Sequence, residues 1–349
     1  MRRGRKMKKL GAAIVGCGTI ASLHADGIIE LDQVELRGVV DPKKERREKF
    51  SKEYQCPAYE CYEEVLQNPD IQVVHICTPH YLHKPMIIQG IIAGKHVIVE
   101  KPVVMNPTEL AEVKKTMELY PDSQVAVIFQ NRYNDTTQKA KSMIDNKEIG
   151  ELVGMKGLLT WYRSEAYYQE SDWRGKWETE GGGVLINQAI HTLDLMQFLG
   201  GELESIKGHV DTRSLQHIIE VEDTAEATLY FKNGCRGIFY ATNSYTENSP
   251  IEIELHGTEG TLSLRNQQLH LYKNGEKHLV AEDEMMKKGK AYWGCSHEVQ
   301  VADFYRCLIE KEPYCITPKE GGVAIEMIHG IYESHRTREA YIMKEAKSQ

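Results

Sequence analysis

The chain has no Cys-x-x-Cys pair and no Cys/His spacing suited to zinc, although it carries eight cysteines in 349 residues. No resident metal is expected, and the thiols read as the reduced cysteines of a cytoplasmic protein. No stretch approaches the roughly 18 uninterrupted apolar residues that cross a bilayer, so no membrane partner is expected. Positive charge is also short. Lys and Arg number 43 against 51 Asp and Glu, for a net charge of −8, whereas a nucleic-acid surface needs basic excess. Repeats and low-complexity linkers are absent as well. The opening "MRRGRKMKKLGAAIVGCG" imitates an export signal, and Arg2-Arg3 a twin-arginine one. The apolar run is short, ends in glycines and is needed as a strand, so residues 1–8 read as a basic tail, with Met7 an alternative start.

What is present is alternation. "AAIVG" (12–16), "VELRGVVD" (34–41), "IQVVHICTP" (71–79), "KHVIVEKP" (95–102) and "SQVAVIFQ" (123–130) read as strands. Their apolar runs are continuous, as in a parallel sheet covered on both faces. Helical stretches such as "PKKERREKFSKEYQ" and "PTELAEVKKTMELY" lie between them, which predicts a doubly wound α/β sheet over residues 1–130.

The first strand runs into "GCGTIA". Gly16 permits a tight turn, Gly18 lets a pyrophosphate approach the backbone, and Ala21 allows close helix–strand packing; Thr19 and Ile20 lead into the helix. Asp41 ends the second strand about twenty residues on, the position of a ribose-binding acid. A carboxylate there repels a 2′-phosphate and favours NAD. Lys43, Lys44 and Arg46 stand close by and could pair with that phosphate, so NADP is not excluded. Ligands of such sheets bind at the carboxyl ends of strands. That places Thr78, Pro79, His80, His83, Glu100 and Lys101 among the candidates. For His83, capping or packing the following helix is the competing reading. Lys101, held between Glu100 and Pro102, is badly placed for a free surface charge.

After residue 130 the pattern changes. "LVGMKGLLTWYR", "ESIKGHVDTR", "TAEATLYF", "CRGIFYAT", "PIEIELHG" and "GTLSLRNQQLHLY" read as about six strands of a mostly antiparallel open sheet. Asn233-Gly234 and Asn274-Gly275 give hairpin signals. Residues 131–349 therefore read as a second α/β domain, with a C-terminal helix packing back on the core. Its most unusual stretch is "GGGVLINQAIHTLDL" (181–195), where Asn187, His191 and Asp194 share one predicted helical stripe.

The G-x-G-x-x-A turn, T-P-x-x-x-H, "AGKHVIVEKP" and "WR…GGG…N-x-x-x-H-x-x-D" occur in order over nearly the whole chain. In this the sequence resembles the glucose–fructose oxidoreductase / inositol dehydrogenase / rhizopine-catabolism (Gfo/Idh/MocA) family. The resemblance implies an NAD(P)-dependent oxidoreductase acting on a secondary hydroxyl of a sugar or sugar derivative. It implies that Lys101 and His191 flank the reacting hydroxyl, with Asn187 beside them, where inositol dehydrogenase-like members carry Asp. With Asn a weaker partner for the imidazole, the proton goes to His191 or to Lys101. "NQAIH" is closer to the nucleotide-sugar and glycoside 3-dehydrogenase branches, which favours C3 of a pyranose. The resemblance further implies cofactor contacts from Asn131, Arg132, Trp173, Arg174 and Tyr292. Sugar contacts are implied for Tyr162, Ser164 and Tyr245, and loop anchoring for Asp194. For residues 131–349 the resemblance implies substrate-binding and oligomerisation roles, and a homodimer or homotetramer is expected. Two alternatives remain: a lyase or glycosidase that oxidises C3 transiently with bound NAD, or inositol dehydrogenase. A non-catalytic dinucleotide sensor is disfavoured because Lys101 and His191 are both kept.

Overall fold

Parallel strands need both faces covered, and the first runs of the chain have the apolar content for it. The computed structural model describes residues 9–284 and 296–343; the predicted tail (1–8), Tyr292 and Cys295 lie outside these. The chain sorts into two compact units, one of residues 1–103, 108–128 and 296–320, the other of the remainder.

The first unit carries β1 (Leu10–Val15), α1 (Ala21–Ile29), β2 (Val34–Val40), α2 (Lys44–Tyr54), β3 (Ala58–Tyr59), α3 (Tyr62–Gln67), β4 (Val73–Ile76), α4 (His83–Ile92), β5 (His96–Val99), α5 (Pro107–Leu119) and β6 (Val125–Val127). Its six strands run in the order β3-β2-β1-β4-β5-β6, all pairs parallel. This is the doubly wound order, and its switch point lies between β1 and β4. Ala12, Ala13 and Ile14 of β1, and all of β4, have no more than 1% of their surface exposed, as strands covered on both faces must. The strands are shorter than predicted at their carboxyl ends. Residues 77–79 and 100–102 leave the sheet as loops, which frees their side chains for a site.

The second unit carries α6 (Asp135–Asp145), β7 (Leu152–Thr160), α7 (Glu165–Gln169), α8 (Val184–Asn187), α9 (Ile190–Gly200), β8 (Leu203–Asp211), β9 (Thr224–Phe231), β10 (Arg236–Thr242), β11 (Glu252–Gly257), β12 (Thr261–Arg265), β13 (Gln268–Lys273) and β14 (Glu276–Glu282). Further along the chain, α10 (His297–Glu310) returns to the first unit beside α1. Next, α11 (Pro318–Thr337) and β15 (Tyr341–Ile342) belong largely to the second.

Among the described residues the second sheet has nine strands, in the order β14-β13-β12-β11-β7-β10-β9-β8-β15, where about six were predicted. Among these strands only β7 and β10 pair in parallel. The run 260–272 is two strands, not one. It turns at Asn266 and Gln267, which take φ of 54° and 62°, the left-handed pair of a two-residue hairpin without the glycine that usually announces it. A second such turn at Asn274-Gly275 starts β14, a strand too polar to stand out by composition.

Candidate active site

In the first unit, Gly16 sits at φ 95°, and a Cβ there would lie 2.7 Å from the Cys77 carbonyl oxygen, so only glycine makes this turn. At Gly18 a Cβ would meet nothing within 4 Å. Beyond the turn, α1 has Ile20 at its N-cap, with no side-chain cap and no acid in its first turn. Its partial positive end is thus left to an anion. The Asp41 carboxylate accepts the Cys17 N–H (3.0 Å) and the Lys43 N–H (2.8 Å), which ties the end of β2 to the glycine turn. Open backbone, an uncapped helix start and a buried acid at this spot fit a dinucleotide.

His83 is fully buried. Its ring nitrogens stand 2.6 Å from the Pro102 carbonyl and 2.9 Å from that of Thr78. It therefore staples the loop after β4 to the loop after β5, which is the packing alternative. Burial pulls its pKa below the ordinary range, against the two carbonyls that favour a proton on each nitrogen. His80 opens a short 3-10 turn and is buried beside it, with ring centroids 5.9 Å apart. Lys101 follows β5 and is half-buried.

In the second unit the predicted single helix is interrupted. The Ala189 N–H reaches back to the Val184 carbonyl (2.8 Å), five residues away, so α8 ends at Asn187 and α9 begins at Ile190. Asn187 and His191 consequently sit on two helical segments rather than on one stripe. His191 lies in the first turn of α9, its ring edge-on to Phe129 with centroids 5.7 Å apart. Asp194 is held by Arg132, which donates to both of its oxygens at 2.8 and 2.6 Å. Burial raises the Asp194 pKa, partly offset by that guanidinium. The predicted anchoring role of Asp194 thus has a partner, and Arg132 spends its charge on it beneath the Phe198 ring. Asn131 and Arg132 are both buried in a second 3-10 turn, Gln130–Tyr133.

Two acids that sequence reasoning passed over frame the glycine loop. Glu180, in "WETEGGG", accepts from Asn187 Nδ2 and from the Gly175 N–H. Glu222 accepts the N–H groups of Gly183 and Leu185 and the Tyr332 hydroxyl at 2.9–3.1 Å. Burial pushes both carboxyls up to about 7. Gly183 lies so close that a Cβ would stand 1.9 Å from the Glu222 carbonyl oxygen. The triple glycine therefore lets this loop press against backbone. An acid directly before a glycine loop was the available signal for Glu180. For Glu222, in "VEDTAEA", there was none, because adjacent acids before a strand resemble a solvated turn.

Arg174 stacks on Tyr167 (4.3 Å to the centroid) and on Trp173 (5.3 Å). Ser164 caps α7, its Oγ accepting the Tyr167 N–H at 3.3 Å. Tyr162 and Tyr245 are 50% and 47% exposed on neighbouring strand-end loops, and Tyr162 bridges to Ser244.

A glycine turn at the switch point of a parallel sheet, with an acid ending β2, defines a dinucleotide-binding protein. The model for the oxidoreductase family's NAD-binding Rossmann fold matches residues 10–128, and that for the Gfo/Idh/MocA C-terminal domain matches 137–263. The chain belongs to the Gfo/Idh/MocA family of oxidoreductases, and its cofactor is NAD. It is 29% identical over 222 residues to levoglucosan dehydrogenase of Pseudarthrobacter phenanthrenivorans, a match covering 57% of this chain and 56% of that one. It is 27% identical over 326 residues to scyllo-inositol 2-dehydrogenase (NAD(+)) of Bacillus subtilis, covering 90% and 91%. A solved levoglucosan dehydrogenase, in complex with NADH and levoglucosan, shares the fold with a TM-score of 0.87 at 20% identity, over 97% of this chain and all of that one.

Proposed function

We propose that the chain moves hydride between NAD and a secondary hydroxyl of a sugar, glycoside or sugar derivative, with C3 of a pyranose favoured. The observation that carries this reading is the pairing of family membership with two retained groups. Lys101 directly follows the carboxyl end of β5, and His191 stands in the first turn of α9 behind three glycines.

When bound, the nicotinamide supplies the hydride acceptor. His191 takes the hydroxyl proton as general base, a role worth roughly 10²–10⁴-fold. The ammonium group of Lys101 holds the oxygen and offsets its developing charge. Asn187 hydrogen-bonds beside them and is itself fixed by Glu180. This supplies, one residue removed, the carboxyl that inositol dehydrogenase-like members place directly at the Asn187 position. Trp173, Arg174 and Asn131 border the cofactor in this reading, with Thr78, Pro79 and His80 as further contacts. Tyr162 and Tyr245, exposed aromatics with polar tips, suit a sugar face. A homo-oligomer is also proposed. The outward face of the second sheet leaves Ile238 64% exposed and Val153 51% exposed, as a face awaiting a second copy would. Reduced buried thiols support a cytoplasmic setting.

The test is a panel of glycosides, free sugars, inositols and nucleotide sugars, each assayed with NAD and NADP by the absorbance of the reduced cofactor. Net reduced NAD with one sugar class is expected, and loss of that turnover in Lys101→Ala and His191→Ala. Sugar cleavage without net reduced NAD would instead favour the transient-oxidation alternative. Higher kcat/KM with NADP would overturn the Asp41 reading, and full activity of either alanine variant would overturn the assigned roles.

A further inference from the structure

Five buried polar side chains of the first unit have no part in the reading above. They are His24 on α1, His75 on β4, Glu100 after β5, and His297 and Tyr305 on α10, each at most 6% exposed. Three distances join them in a line. Tyr305 Oη is 2.8 Å from His75 Nε2, His75 Nδ1 is 2.9 Å from His24 Nδ1, and His24 Nε2 is 3.0 Å from Glu100 Oε1. His297 Nε2 reaches the same carboxylate oxygen at 3.5 Å. The other oxygen, Glu100 Oε2, accepts the backbone N–H of Lys101 at 3.2 Å.

The protons in this line run in one direction. Burial holds the Tyr305 phenol well above its ordinary range, so it keeps its proton, and in the arrangement inferred here it donates that proton to His75 Nε2. Burial, with His24 alongside, holds His75 well below its ordinary range, so that ring is neutral. Its single N–H must then sit on Nδ1 and point at His24 Nδ1. His24 accepts there, which leaves its own N–H on Nε2, aimed at Glu100. Burial pushes the Glu100 carboxyl up, but the bonds from His24 and His297 outweigh it and keep the group ionised. Tyr305 is 1% exposed, so the far end of the line opens on no solvent.

We propose that Glu100 is a positioning residue for Lys101: a carboxylate fixed through one oxygen by α1, β4 and α10, and fixing through the other the peptide that carries the lysine. The proposal rests on the reading that Lys101 works on the substrate oxygen. It gives the return of α10 to the first unit a function, since α10 contributes two of the five groups. It also gives the start of α1, at the dinucleotide turn, and the lysine peptide a common anchor.

One arm of the test is independent of turnover. In enzyme with 15N-labelled imidazoles, long-range 1H–15N correlation spectra report the tautomer of each ring, assigned by the loss of signals in His24→Gln and His75→Gln. His75 is expected as a neutral Nδ1–H ring and His24 as Nε2–H, with His75 unchanged from about pH 8 to about pH 6. A neutral Nε2–H tautomer at His75, or a His75 imidazolium forming in that range, would overturn the directional line. The second arm uses the sugar found by the panel. His24→Gln keeps both an acceptor for His75 and a donor for Glu100, and its kcat should stay within about threefold of wild type. His24→Leu keeps the bulk and loses both, and its kcat should fall on the order of 10²-fold, with NAD affinity by fluorescence titration changed less than about twofold. Equal kcat for the two variants would overturn the positioning role. Undiminished turnover in Lys101→Ala would overturn the reading of Lys101 instead, and the tautomer result would stand apart from it.

Discussion

Replacing Glu180 by glutamine should flatten the pH dependence of stability in a defined window. The carboxyl is 1% exposed and accepts from the Gly175 amide and the Asn187 side chain. Burial raises it from 4.5 to about 7; those two donors and Arg174 oppose the rise, while Glu222 adds to it. Ionising it in the folded protein is then about 3 kcal/mol harder than in the unfolded chain. The folded pKa exceeds the unfolded one, so this group's stabilising contribution is complete below pH 4.5. It is lost as pH rises to about 7 and is flat above. Glutamine has the same shape and no such titration: it accepts from Gly175 and, after rotation of the Asn187 amide, donates to its oxygen. Near pH 5, Glu180→Gln should match wild type or fall slightly below it. Near pH 8 it should be the more stable by up to about 3 kcal/mol, less the charge-assisted bonds it gives up. Urea unfolding followed by tryptophan fluorescence at pH steps between these limits measures the difference. Glu222 titrates in the same window, so the double variant with Glu222→Gln should be flatter still. Parallel wild-type and Glu180→Gln profiles would refute the assignment of a buried, proton-holding carboxyl at this position.

Asp194→Asn leaves the Arg132 guanidinium buried without its bidentate partner and should cost about 3–5 kcal/mol in urea unfolding; a loss under about 1 kcal/mol would contradict it. Gly16→Ala forces a Cβ to within 2.7 Å of the Cys77 carbonyl at a φ of 95°. It should weaken NAD binding at least about tenfold by calorimetry, and unchanged affinity would show that the turn does not approach the cofactor.

The helix–strand alternation of the first unit could be read directly, because a strand buried on both faces must be apolar throughout, and short β-branched runs between turn signals mark such strands. The glycine turn was equally plain, since the φ of 95° at Gly16 demands glycine, and Asp41 followed from its spacing to that turn. The second sheet was legible only in part. Asn266-Gln267 makes a left-handed turn without glycine, β14 is a polar edge strand, and β15 is a two-residue segment whose partner, β8, lies far back along the chain.

The sequence by itself marked the residues proposed to do the chemistry: Lys101 between glutamate and proline, and His191 behind three glycines. Tertiary structure alone decided what surrounds them. Glu180 and Glu222 acquire raised proton affinity from desolvation, which no local pattern encodes. Glu100 is held ionised by His24 and His297, and α10 supplies the second by folding back onto a sheet that the chain completed far earlier. Local propensity fixes the type of each element, whereas the charge on a buried group depends on which distant donors folding brings to it.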